Sequence, residues 1–307
     1  ARVDWTAAKW RNRDGRPNWH KLFKALKLDF AFLAGGRRLD LRGVRVGRAG
    51  AVGEAQLQLR EPLEHAAEQA AGGSAVHGIT KFADLTQEEF KLGYLTLGDY
   101  KPSNHSKTLT GLKPLAQGAS VSADWTGTYT TPVKDQGYCG SCWAFSATEQ
   151  IESDYWRATG DEAILSAQQI TSCTSYIFGG GCNGGFTENA FDYAKGGLEL
   201  DSDYPYTSGK AGVTGSCNSD SSKYVVKTTG YKTVSSSASG ESSMASYVGS
   251  TGPLSVCVDA STWSSYTGGI LSRCGTSVDH CVQAVGIDTS GGYWKVRNSW
   301  GTSWGES

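Results

Sequence analysis

Polar and apolar positions repeat at two different periods along this chain, and the change from one to the other divides it. Residues 76–97 (VHGITKFADLTQEEFKLGYLTL) read as a short strand and then a helix, with Thr86 able to cap the helix N-terminus and Glu89 able to reach back in a capping box. A longer helix is expected from Ser141 or Cys142, because Ala144, Ala147, Ile151 and Tyr155 fall at helical spacing and Gly160 can end it. A further helix follows Ser166, with Gln169 completing a second capping box. Roughly the last eighty residues alternate instead, as in LSVCVDA, HCVQAVGI and YWKVRNSW, and are expected to form strands. Helices early and strands late predict an α+β chain with two lobes.

Two stretches carry no period. Residues 34–60 mix glycine, arginine and small apolar residues and have no assignable fold; an insert and a shifted reading frame are both open readings. Arginines at 37, 38, 42, 45 and 48 leave a polyanion site open beside a merely solvated charge run. Residues 98–120 hold Pro102, Pro114 and several glycines and read as a linker with exposed backbone. Within it Asn104, His105 and Ser106 form an N-glycosylation sequon.

With 307 residues, 38% of them hydrophobic, the chain has enough apolar mass for a substantial core. A formal charge of -1 gives no field to draw nucleic acid or an anionic membrane, so neither is expected as a partner. No apolar run is long enough to span a bilayer, and the opening ARVDWTAAKW is not a secretory signal. All eight cysteines lie between Cys139 and Cys281, which favours disulfides and an oxidising compartment. Cys139 and Cys142 form a C-x-x-C, but no second pair exists, so no metal is expected.

Of the histidines at 20, 65, 77, 105 and 280, only His280 lies beyond the linker. Residues 136–145 read QGYCGSCWAF; His280 follows Cys142 by 138 residues in VDHCV, and Asn298 follows it by 156 in VRNSWG. A thiol at a helix N-terminus facing an imidazolium is stabilised as thiolate by both positive potentials. The imidazole can then pass its proton to a leaving amine, and an amide side chain can hold it in one tautomer without adding charge.

From residue 124 onward the sequence resembles the papain-family cysteine peptidases, of the cathepsin L-like kind. The resemblance implies a papain-like two-lobe fold, a helical lobe and a β-barrel-like lobe with the cleft between them. It makes Cys142 the nucleophile, His280 its acid and base, Asn298 the residue that orients the base, and Trp300 the shield of that bond. The oxyanion donors are the Gln136 side chain and the Cys142 backbone N–H. Gly140, Asp279 and Trp300 join the substrate-binding set. Gly184 and Gly185 would offer a backbone edge to an extended peptide. Phe186, Thr187, Cys257, Val278 and Cys281 would wall the second subsite, predicting a bulky hydrophobic residue two before the scissile bond.

The same resemblance pairs Cys139 with Cys182 and Cys173 with Cys217. Cys257 and Cys281 are expected to be adjacent and bridged, which leaves Cys274 odd. In the family its partner lies beyond WGE, so the sequence ending at Ser307 reads as C-terminally incomplete.

Gly78, Thr80, Phe82 and Asp84 of GITKFAD match the propeptide pattern of papain-type zymogens, although the long helix that precedes it there is not recognisable. The expected division is a propeptide region over 1–97, a linker with the activation site over 98–119, cut between residues 118 and 121, and a peptidase domain over 120–307. The expected function is a cysteine endopeptidase made as a zymogen, lysosomal, vacuolar or extracellular. It would need no cofactor, and its partners would be polypeptide substrates, its own propeptide and cystatin-type inhibitors. No dipeptide-capping loop follows GCNGG, which favours the endo mode. A truncated non-catalytic homologue and a C-x-x-C redox module are the competing readings.

Overall fold

The computed structural model describes residues 64, 66–95, 107–174 and 180–306. The expectations for residues 34–60, for the sequon at 104–106 and for the early part of the linker lie outside the described residues. In chain order the elements are β1 (Val76–His77), α1 (Gln87–Tyr94), β2 (Lys107–Thr108), β3 (Ser122–Asp124), α2 (Cys142–Thr159), α3 (Ala167–Cys173), α4 (Thr187–Tyr193), α5 (Ser208–Ala211), β4 (Lys232–Thr233), α6 (Glu241–Ser250), β5 (Leu254–Val258), β6 (Tyr266–Gly268), β7 (His280–Asp288) and β8 (Tyr293–Arg297).

Local signals decide where the helices begin and end. At α1 both halves of the capping box form: Glu89 N donates to Thr86 Oγ1 at 3.1 Å and Thr86 N donates to Glu89 Oε2 at 2.8 Å. Helix α2 opens at Cys142 and closes on Gly160, whose φ of 86° is open to glycine at little cost. The box expected at α3 is only half made. Ser166 Oγ accepts from Gln169 N at 2.9 Å, but the Gln169 amide turns away to the Gly197 carbonyl and the Tyr193 hydroxyl, both at 3.1 Å. Ser166 N is satisfied by the Glu199 carbonyl instead, so a tertiary partner displaces the local one.

Strand β7 organises the second lobe. Its Gln283–Asp288 end pairs with β8 on one edge; on the other edge β5 pairs with its first half and β3 with its last residues, all antiparallel. The alternating exposure expected of HCVQAVGI is not found, for residues 280–287 are all buried. Packing on both faces explains it. From α2, Ser146 Oγ donates to the Val282 carbonyl at 2.7 Å, while Gln283 Nε2 donates to Glu149 O and Ser153 Oγ. From α6, Ala245 and Val248 pack on Ala284 and Ile287, three residues apart but brought into one cluster across an irregularity in the β8 register.

The helical lobe has its own core, in which Trp143, Ala147 and Ile151 of α2 meet Leu165, Ile170, Ala190 and Leu198. A further cluster joins the region before the linker to the sheet lobe: Phe82, Phe90, Tyr94 and Leu95 bury themselves against Trp263, Val282 and Trp300. The Cys139–Cys182, Cys173–Cys217 and Cys257–Cys281 disulfides all form, while Cys142 and Cys274 stay outside any bridge.

Candidate active site

Cys142 is the first residue of α2 and is fully buried, so its side chain starts where the helix presents its positive end. Helix α2 and strand β7 run in the same sense where they touch. Ser146 meets Val282, and stepping one turn back along the helix and two residues back along the strand brings Cys142 and His280 to the same end of that contact.

The bonding around Asn298 sets the state of the imidazole. Asn298 Oδ1 accepts from Ser299 N at 2.8 Å and lies 2.8 Å from His280 Nε2. An oxygen already identified as an acceptor leaves Nε2 to donate, so the neutral ring carries its proton there and Nδ1 is a buried acceptor with no hydrogen-bond partner among the described residues. Burial pulls the His280 pKa down to about 4, with the Asn298 bond opposing. The Trp300 ring lies 4.7 Å from the imidazole, centroid to centroid, and is itself wholly buried.

Asn298 is placed by the residue before it. Arg297 ends β8 inside the protein, donating from Nη1 to the Thr131 carbonyl at 2.5 Å and approaching Glu149 Oε2 of α2 at 3.6 Å. Lys134 and Glu152 form a second ion pair at 3.0 Å between the same regions. Burial still raises the Glu149 pKa despite Arg297 and Lys134.

Gln136 is bonded at every polar atom. Its N–H donates to Ser299 O at 2.9 Å, its Oε1 accepts from Ser299 Oγ at 2.7 Å, and its carbonyl accepts from the Tyr206 hydroxyl at 3.0 Å. The side-chain Nε2 donates twice, to Cys139 O at 2.9 Å and to Tyr94 O at 3.0 Å. Tyr94 closes α1, so a carbonyl of the chain's own early region occupies that second donor. Lys81 helps to hold the region down, pairing with Asp135 at 3.0 Å and donating to the Trp300 carbonyl at 2.8 Å.

The remaining expected substrate residues come from both lobes. Gly140 N donates to Cys182 O at 2.9 Å, which sets the loop through Gly184 and Gly185 beside the 139–140 turn; both glycines are buried, Gly185 against the Trp143 indole. Phe186 and Thr187 begin α4 in the helical lobe. Cys257 pairs directly with Cys281 between β5 and β7, beside the Val258 and His280 pair. Val278 is half-buried just before β7, and Asp279 N donates to Val258 O at 3.0 Å. Burial, with Asp259 nearby, pushes the Asp279 carboxyl up to about 6.

Sequence reasoning passed over Ser299, Tyr206 and Tyr94. Ser299 was within reach, since it stands between the two motif residues Asn298 and Trp300. Tyr206 and Tyr94 touch Gln136 across 70 and 42 residues of chain and leave no local signal.

A buried thiol at a helix N-terminus, and an imidazole held by an amide on the facing lobe, define a two-lobed thiol peptidase. Residues 119–307 match the papain family cysteine protease description. A cathepsin L-like proteinase of Phaedon cochleariae is 40% identical over 258 residues, spanning 81% of this chain and 77% of its own. One from Fasciola hepatica is 42% identical over 240 residues, spanning 75% and 71%. The structure of digestive procathepsin L 3 of Tenebrio molitor larval midgut matches with a TM-score of 0.68 at 28% identity, over 93% of this chain and 91% of that one. The chain belongs to the papain family of cysteine proteases and is a cathepsin L-like cysteine peptidase.

Proposed function

We propose that the chain is the zymogen of a cysteine endopeptidase, with Cys142, His280, Asn298 and Gln136 as its catalytic set and the region before the linker as its cover. The observation that carries this reading is the second hydrogen bond of Gln136 Nε2. It donates to the Tyr94 carbonyl, and a substrate carbonyl attacked by Cys142 would need that same donor. The cover is the region of residues 1–97, the linker of residues 98–119 is the place to cut, and residues 120–307 form the peptidase.

Once the cover leaves, Cys142 gives its proton to His280 Nδ1, and the thiolate attacks the peptide carbonyl. The oxygen that becomes negative is received by Gln136 Nε2 and the Cys142 backbone N–H. Collapse breaks the C–N bond, and the imidazolium returns its proton to the departing amine. Water, deprotonated by His280, then hydrolyses the thioester and restores the thiol. Throughout, Asn298 Oδ1 keeps Nε2 protonated and turned away from the reaction.

Substrates are polypeptides, read along the Gly184 and Gly185 edge and at the second subsite of Phe186, Thr187, Cys257, Val278 and Cys281. An acidic lysosome-like or extracellular setting fits the disulfides, and cystatin-type proteins are the inhibitors that such a cleft would meet.

The test is labelling of the acid-activated chain with a peptidyl epoxide, with the modified residue mapped by mass spectrometry. One label confined to Cys142, and lost in His280→Ala, is expected; Cys274 should react only with small unspecific alkylators. A folded, processed chain that takes no label at Cys142 is a non-catalytic relative, and the reading fails.

A further inference from the structure

We propose that Tyr206 is a positioning residue for the oxyanion site: its hydroxyl ties the main chain of Gln136 to the start of the nucleophile's helix, and so fixes the two oxyanion donors relative to each other. This rests on the catalytic reading given above.

The phenol has one proton to donate, and it goes to the Gln136 carbonyl at 3.0 Å, an acceptor only. Its 2.7 Å contact with Ser141 Oγ must therefore run the other way, with Ser141 donating. Ser141 is the N-cap of α2, yet its side chain makes no cap bond to that helix. A serine in this place ordinarily accepts from a free N–H of the first turn. Here the hydroxyl serves Tyr206 instead, which points to a demand other than helix stability. Burial raises the Tyr206 pKa, keeping the hydroxyl protonated and able to donate.

The ring and its backbone are held as firmly as the hydroxyl. The Tyr206 ring stands edge-on to Phe145, 4.8 Å between centroids, one turn into α2. Behind it, Thr207 N and Ser208 N donate to Gln168 Oε1 of α3 at 2.7 and 2.9 Å. Segment 206–209 then lies backbone to backbone against segment 136–138. Tyr138 N donates to Gly209 O at 2.9 Å, and a Cβ on Gly209 would stand 2.4 Å from Gln136 O. Likewise a Cβ on Gly137 would stand 2.6 Å from Gly209 O. Backbone meets backbone here with the Tyr206 ring beside the contact, so the segment that carries Tyr206 sets where Gln136 lies.

Both supports of the oxyanion site thus meet at one atom. Residue 141 precedes the Cys142 N–H, and residue 136 carries the amide donor. Removing the hydroxyl while keeping the ring leaves the packing but frees the two donors to drift, which weakens binding of the transition state and not of the substrate.

The experiment compares wild type with Tyr206→Phe as processed enzymes. A kcat lower by about three- to tenfold, with KM little changed, is expected from the loss of one buried hydrogen bond. A peptide aldehyde, which forms a tetrahedral adduct with Cys142, should bind more weakly by a similar factor, whereas alkylation of Cys142 by iodoacetamide should keep its rate. In a Gln136→Ala background the further loss from Tyr206→Phe should vanish. An unchanged kcat and aldehyde affinity in the single variant, or the same loss again without Gln136, overturns the assignment. Wild-type chain inert toward both the peptide substrate and the epoxide would instead sink the catalytic reading on which it stands.

Discussion

The side-chain amide of Gln136 and the main-chain carbonyl of Tyr94 meet at 3.0 Å, across 42 residues of sequence. Gln136 has only two side-chain N–H bonds, and Cys139 O holds the other. If Gln136 is the oxyanion donor proposed above, the early region and a substrate would compete for a single N–H. On the proposed reading, closure of the cleft and preparation of the oxyanion site would be one arrangement, with the chain's own carbonyl standing where a substrate's would.

Replacing Gln136 by alanine should lower kcat of the processed enzyme by about a hundredfold or more, near 3 kcal/mol, as loss of an oxyanion donor does. KM should move little. Steady-state kinetics on a fluorogenic peptide decide it, and a variant that loses only KM would remove Gln136 from the catalytic set.

Phe90→Ala should unseat the cover. The Phe90 ring is wholly buried, 5.0 Å from Phe82 and 5.3 Å from Trp300 between centroids, and truncating such a ring costs about 3–5 kcal/mol. The unprocessed variant is expected to expose Cys142 to small alkylating reagents at a rate close to that of the processed enzyme. A rate as slow as wild type would show that the aromatic cluster does not hold the cover.

Closure should weaken with acid through His280. Its pKa in the closed form is about 4, below the ordinary 6.5, so an opened form binds the proton first as pH falls. The imidazole's contribution to closure is complete above pH 6.5 and is lost toward pH 4, at about 1.4 kcal/mol per pH unit. Asp279 works in the opposite sense, because a carboxyl held up at about 6 favours the closed form as pH falls below 6. In a Cys142→Ser chain, followed by tryptophan fluorescence against pH, Asp279→Asn should move opening to lower pH, because a neutral amide spares the closed form the cost of burying an ionised carboxylate. Opening that is indifferent to both groups would show that the cover responds to other charges.

The Cys257–Cys281 bridge closes a loop with a sequence separation of 24. Loop-closure entropy for a ring of that size corresponds to about 3 kcal/mol. Cys257→Ala combined with Cys281→Ala should lower the denaturant midpoint accordingly, and an unmoved midpoint would mean that pairing in the sheet already suffices.

Much of the frame could be read from the sequence because its signals are local. Thr86 with Glu89, the opening of α2 at Cys142 and its stop at Gly160 each need only residues within one turn or one helix. The structure joins His280 to Asn298 and Gln136 to the Tyr94 carbonyl, and it forms the Cys139–Cys182, Cys173–Cys217 and Cys257–Cys281 bridges. What escaped reading depends on partners far along the chain. Gln169 left its local box because Tyr193 and Gly197 offered it better-placed partners, and β7 lost its expected alternation because α2 and α6 cover both its faces. Tyr206 could not be found from spacing, since its worth lies in a contact with Gln136 and not in its neighbours.

Helix α2 is buried without interruption from residue 142 to residue 153, apolar toward the helical lobe and polar toward β7. It is thus a shared wall and belongs to neither lobe alone. Exchange of lobes between relatives is then constrained: a chimera that imports a foreign sheet lobe must import matching partners for Ser146, Glu149 and Ser153 as well. The natural seam for recombination does not follow the cleft but runs behind this helix.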